Sequence, residues 1–109
     1  ERCVIRGNTC TRNVNGGGIY VIPPDLLDAG QNHIEGNACI GNRAGLWVNT
    51  VANIIMKNTC NGNTTANWEI TVGNRVAPIV VAGSNAAGIS GDSYAGSLGS
   101  TDPNANFTY

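Results

Sequence analysis

The sequence predicts an all-β fold, a single-stranded right-handed parallel β-helix of about four coils with a period near 21 residues. Three observations predict it: a composition of turn formers and β-branched residues, a motif that recurs three times, and a constant chemical type at each position of the motif. Glycine numbers 15 and asparagine recurs throughout, while only 12% of the residues are charged. Such a chain lacks the strong helix formers of a helical domain. At 41% hydrophobic it is too apolar for a disordered one. Gly and Asn punctuate turns and Val and Ile fill strands, so short strands joined by tight corners are expected.

The first copy of the motif is Ile5-Arg6-Gly7-Asn8-Thr9-Cys10-Thr11-Arg12-Asn13, followed by Gly18-Ile19-Tyr20-Val21. The second is Ile34-Glu35-Gly36-Asn37-Ala38-Cys39-Ile40-Gly41-Asn42, followed by Gly45-Leu46-Trp47-Val48. The third is Ile55-Met56-Lys57-Asn58-Thr59-Cys60-Asn61-Gly62-Asn63, followed by Trp68-Glu69-Ile70. A partial fourth copy reads Ile89-Ser90-Gly91-Asp92-Ser93-Tyr94. Asn37 and Asn58 stand 21 residues apart, and Asn8 and Asn37 stand 29 apart, so the surplus falls on a loop insertion at 23–30. Asn58 and Asp92 stand 34 apart, which places a further insertion or a change of register late in the chain.

A period of about 20 residues suits one turn of a solenoid, with coils stacked about 4.8 Å apart. Equivalent residues then form ladders. Ile5, Ile34, Ile55 and Ile89 make one inward aliphatic ladder; Ile19, Leu46 and Trp68 a second; Val21, Val48 and Ile70 a third. Cys10, Cys39 and Cys60 share one position. Asn8, Asn37, Asn58 and Asp92 share a corner, and Asn13, Asn42 and Asn63 another. Asn suits a repeated corner because it tolerates left-handed conformations and can bond its neighbour's amide along a stack. The domain organisation that follows is coils over 1–82 and an irregular C-terminal cap or oligomerisation tail over 83–109.

The pattern Asn-x-Ile-x-x-Asn-x-x-x-x-Asn-x-x-Gly-Leu-x-Val, from Asn32 to Val48, resembles the repeat of the right-handed parallel β-helix superfamily, which includes pectate-lyase-like proteins and carbohydrate-binding and sugar-hydrolase repeats. The likeness covers about residues 1–71, with a weaker echo at 88–94. It implies an extracellular or cell-surface protein, secreted by a bacterium. It does not imply one activity, because lyases, hydrolases, epimerases, tailspikes and fibres share the fold.

Each group that could carry chemistry has a plainer reading beside it. The three stacked cysteines read as a buried ladder of thiols, with a Cys10–Cys39 bridge as the alternative, since neighbouring rungs lie within disulfide range. Zinc ligands at paired short spacing are not present. Tyr20, Trp47 and Glu69 fall on one outward line, which suits either a subunit interface or a sugar-stacking platform. Trp68 falls inward, in the core. Arg6, Glu35, Met56 and Ser90 share another outward line, on which Arg6 and Glu35 are expected to pair. The acids form no cluster of the kind a glycosidase or lyase uses, so no catalytic residue, metal or cofactor is assigned. Asp25 and Asp28 read as a solvated loop rather than a calcium site, and the single His33 as the start of a strand. The sequons at Asn63 and Asn106 read as chance matches in an Asn- and Thr-rich chain.

Six dispersed Lys and Arg residues give no basic patch for nucleic acid, and no apolar run is long enough to span a membrane. The register places the start of the chain inside a coil, where a bare core and strand edges call for another chain or a further segment. The stretch Arg75-Val76-Ala77-Pro78-Ile79-Val80-Val81-Ala82 reads as one long apolar strand. The function expected is therefore structural, a module that self-associates as a trimer or head-to-tail filament. The alternatives are a glycan-binding module and the end of a polysaccharide-degrading enzyme.

Overall fold

A computed structural model describes residues 2–23, 30–81 and 101–109 of the 109-residue chain. The described residues form strands and connecting turns, with no helix among them. None is therefore long and apolar enough to cross a membrane.

Each pass along the motif, here called a rung, lays down three strands. The first rung supplies β1 (Val4–Arg6), β2 (Thr9–Thr11) and β3 (Gly17–Val21). The second supplies β4 (His33–Glu35), β5 (Ala38–Ile40) and β6 (Ala44–Val48), and the third β7 (Ile54–Met56), β8 (Thr59–Asn61) and β9 (Ala66–Ile70). Then follow β10 (Arg75–Val76), β11 (Ile79–Val81) and β12 (Asn106–Thr108). They assemble into three sheets in the orders β1-β4-β7-β10, β11-β12-β8-β5-β2 and β3-β6-β9. Every pairing is parallel.

The register is the one the repeat predicts. Ile5 pairs with Ile34 and Ile34 with Ile55. Cys10 pairs with Cys39 and Cys39 with Cys60. Leu46 stands between Ile19 and Trp68, and Val48 between Val21 and Ile70. These inward residues make one core. Burial follows position in the stack: Ile34, Cys39, Leu46 and Val48 of the middle rung are fully buried, whereas Ile5, Cys10 and Val21 of the first are only partly so. A middle rung has a neighbour on both sides and an end rung on one. Trp68 is half-buried against the core, and its indole N–H donates to Thr108 Oγ1 at 2.7 Å.

Tight corners join the strands, and their chemistry is uniform. Asn37 Oδ1 accepts both the backbone N–H and the side-chain Nδ2–H of Asn8, at 3.0 and 2.9 Å. Asn58 does the same for Asn37, at 3.0 and 2.9 Å. Asn42 serves Asn13 in the same way, and Asn63 accepts the backbone N–H of Asn42. A third ladder, which the sequence reading did not pick out, runs Asn32, Asn53, Asn74 with the same pairs of bonds. Cys3 begins it, its N–H donating to Asn32 Oδ1. The left-handed conformation expected of the asparagines falls instead on the residue before each. Gly7, Gly36 and Lys57 precede the first ladder, Arg12, Gly41 and Gly62 the second, and Gln31, Ala52 and Gly73 the third, all with positive φ. The preceding residue makes the bend, which leaves the Asn side chain free to bond the next rung.

The last part of the chain departs from expectation in three ways. Of the strand expected over 75–82, the described residues 75–81 do not form one strand. The chain turns at Ala77-Pro78, giving β10 to the first sheet and β11 to the second. Proline has no N–H for a ladder, which suits it to the break. The rung beside Ile55 is Val76, and Ile89, Ser90 and Asp92, the expected fourth copy, lie outside the described residues, as do Asp25 and Asp28. The C-terminal residues are not irregular throughout. β12 inserts between β8 and β11, and Asn106 extends the first Asn ladder, accepting from Asn58 N–H and Nδ2–H at 3.0 and 3.1 Å.

Candidate functional site

The outward line Tyr20, Trp47, Glu69 comes together as expected, in register on β3, β6 and β9. The two rings meet edge to face, with centroids 5.1 Å apart and planes at 79°. That is a favoured aromatic geometry. Beneath them, three residues earlier on the same strands, runs a line of small residues, Gly17, Ala44 and Ala66. A methyl group added at Gly17 would collide with the Tyr20 ring, so the ring occupies the space that a side chain there would take. Tyr20 nonetheless remains 39% exposed. Glu69 is exposed at the end of the line.

A second outward group lies on the first sheet. The expected Arg6–Glu35 pair is replaced. The Glu35 carboxylate binds Lys57 Nζ at 3.1 Å and lies 3.7 Å from His33 Nε2. Lys57 follows Met56 at a corner of the next rung and reaches back, while Arg6, in register with Glu35, acts only through space. The Lys57 bond holds the Glu35 carboxyl below its ordinary value; desolvation opposes it, and the charges of Lys57, His33 and Arg6 add to the lowering. His33 Nε2 is buried and has no hydrogen-bond partner in this arrangement, 3.7 Å being too long for one. His33 does open β4.

The third group is the thiol ladder. All four cysteines are unbridged; Cys3 is exposed, Cys10 partly so, and Cys39 and Cys60 buried. Burial pushes the Cys10 thiol up, helped by Cys39. The Cys60 thiol beside it lowers the Cys39 thiol, against its own burial and with a smaller contribution from Cys10. Cys60 is pushed up by Cys39 beside it and by its own burial. Thr108 closes the ladder: its hydroxyl donates to the Cys60 carbonyl at 2.8 Å.

The sequons carry no free amide. Asn106 is fully buried, and the Nδ2 atoms of Asn63 and Asn106 are bonded inside their ladders.

The stack has two kinds of end. Among the described residues, β1, β2 and β3 have no strand on their outer side, nor do β10, β11 and β9 at the other. Every ladder runs the same way: the earlier rung donates and the later accepts. Asn8 and Asn13 therefore present side-chain acceptors at the first edge, and both are exposed. Exposed apolar side chains mark both ends, with Val4 at 66% on the first and Val81 at 77% on the second. The sequence signal for the third Asn ladder was present in the equal spacing of Asn32, Asn53 and Asn74 and in the Gly73-Asn74 pair.

No family model matches the chain, and neither a curated protein nor a solved structure matches it.

Proposed function

We propose that the three parallel sheets are the walls of a right-handed parallel β-helix, and that this helix is a structural, secreted module that associates head to tail with further copies of itself. The observation that carries the reading is the polarity of the edges. Asn8 and Asn13 offer acceptors in the role that Asn37 and Asn42 fill one rung on, and the half-buried Ile5, Cys10 and Val21 lie beside them. A parallel strand from the opposite end of a second copy has the right direction to continue the first sheet, with β10 of one copy beside β1 of the next. Such a contact is heterologous and leaves a free edge after each addition, so it propagates.

Continuing the first sheet brings Arg75 of one copy next to Val4 of the following copy, on the line Val4, His33, Ile54, Arg75. Charges directly opposite on neighbouring strands matter, and Val4 is exposed enough to change without disturbing the fold. The test is sedimentation velocity over a concentration series for the wild type, Val4→Glu and Val4→Lys. The reading predicts concentration-dependent association that Val4→Glu strengthens and Val4→Lys weakens. Identical behaviour of the two variants would remove this contact.

A second reading rests on the Tyr20 ring packed against Gly17 beside Trp47 and Glu69: a platform on which a sugar ring stacks while the carboxylate takes its hydroxyls. Its test is binding to a panel of soluble polysaccharides, which Trp47→Ala should abolish. A wild type that binds none of them dismisses it.

A further inference from the structure

We infer that Cys10 and Cys39 form a reversible oxidative latch, a disulfide made by a small-molecule disulfide oxidant that ties the first rung covalently to the second. The inference does not rest on the head-to-tail reading.

The geometry comes from the register. Cys10 and Cys39 are direct partners on adjacent parallel strands, as are Cys39 and Cys60. Adjacent strands lie about 4.8 Å apart, within the roughly 4.4–6.8 Å between Cα atoms that a disulfide accepts. Parallel neighbours also point their Cβ atoms the same way, so the Cβ atoms lie about as far apart as the strands. That exceeds the roughly 3.5–4.5 Å a relaxed bridge prefers. The bond is therefore within reach but strained, and strained disulfides are the easily reduced ones.

Access decides which pair reacts. Cys39 and Cys60 are 1% and 0% exposed, and a methyl group at Gly18 would come within 2.8 Å of Cys39 Cβ and Sγ, so the ladder leaves no room for a reagent there. Cys10, on the first described rung, is only partly buried. The reaction then has one order. The Cys10 thiolate attacks the oxidant RSSR, forming Cys10–S–S–R and releasing RS⁻. The Cys39 thiolate attacks the Cys10 sulfur of that mixed disulfide, forming Cys10–S–S–Cys39 and releasing a second RS⁻. The two thiol protons pass to the two leaving thiolates, so two cysteine thiols are oxidised and one RSSR is reduced to two RSH. Cys39 takes the second step because it is the direct register partner of Cys10, and the Cys60 thiol on its other side favours its thiolate. Cys60, one rung beyond Cys39 and fully buried, is the thiol left over.

The experiment uses the full chain carrying Cys3→Ser, to silence the exposed thiol. The reduced protein is treated with oxidised glutathione, alkylated, and its cysteines mapped by peptide mass spectrometry. The latch predicts a loss of two hydrogens, a single Cys10–Cys39 bond, and Cys60 alkylated only after unfolding. It also predicts that millimolar reduced glutathione reopens the bond. Adding Cys60→Ser should leave the bond in place, and adding Cys10→Ser should leave Cys39 unreactive. Should Cys10→Ser fold poorly, Cys10→Val serves for the same comparison. Three alkylatable thiols after oxidation would overturn the inference, as would a bond between Cys39 and Cys60, or one that persists in excess reduced glutathione.

Discussion

At each corner two neighbouring residues divide the work. The first adopts the left-handed conformation and the second is the asparagine that bonds across the stack; all ten positive-φ residues among those described directly precede a ladder position. Half are glycine. The other half, Arg2, Arg12, Gln31, Ala52 and Lys57, carry a side chain that disfavours the conformation. Gly36 has nothing within 4 Å of where a Cβ would stand, so Gly36→Ala isolates the backbone cost. It should lower unfolding free energy by about 1 kcal/mol in denaturant titration, and Ala52→Gly should raise it by a similar, smaller amount.

The asparagines are worth more. Asn58 accepts two donors from Asn37 and donates to the Ile34 carbonyl, all buried. Asn58→Ala strands those groups and should cost about 3 kcal/mol by the same measurement. At this scale the sequence revealed two of the three ladders, because Asn is conspicuous at a fixed offset. It concealed which residue bends, because Gly, Lys, Arg, Gln and Ala all occupy the bending position and no side-chain type marks it.

Among the elements, β12 shows how a distant segment can complete a repeat. Asn106 carries on a ladder 48 residues after Asn58, and two residues later Thr108 both donates to the Cys60 carbonyl and accepts from Trp68 Nε1. Thr108→Val keeps the shape and removes both bonds. It should cost about 1–2 kcal/mol and alter Trp68 fluorescence, whereas an unchanged stability would mean the strand is not held this way. The sequence placed the fourth copy at Ile89 because periodicity ranks local copies first. Only a long-range contact brings 106–108 beside β8, and three residues are too few to advertise it.

On the first sheet, the Lys57 bond to Glu35 crosses from one rung to the next. Because the folded carboxyl is held below its unfolded value, its contribution is complete above the ordinary carboxylate range and is lost as pH falls through the lowered one. Following the Glu35 carboxyl by NMR should show a midpoint below that of a free glutamate, and Lys57→Met should return it upward.

Over the whole chain, the period fixes the three-sheet register because a shift of one residue would turn Ile34, Cys39 and Leu46 outward. That much was legible, as was the outward line of Tyr20, Trp47 and Glu69. What the stack binds is less legible, since solvent-facing positions tolerate many residues and the motif constrains only the inward ones and the corners. The central claim concerns the ends, where Asn8 and Asn13 present acceptors and Val4 and Val81 stand exposed. Light scattering across a concentration series, on a sample imaged by electron microscopy, tests it most directly. The account predicts a mass that climbs with concentration and particles that lengthen without widening. A monomer of constant mass at every concentration would contradict it.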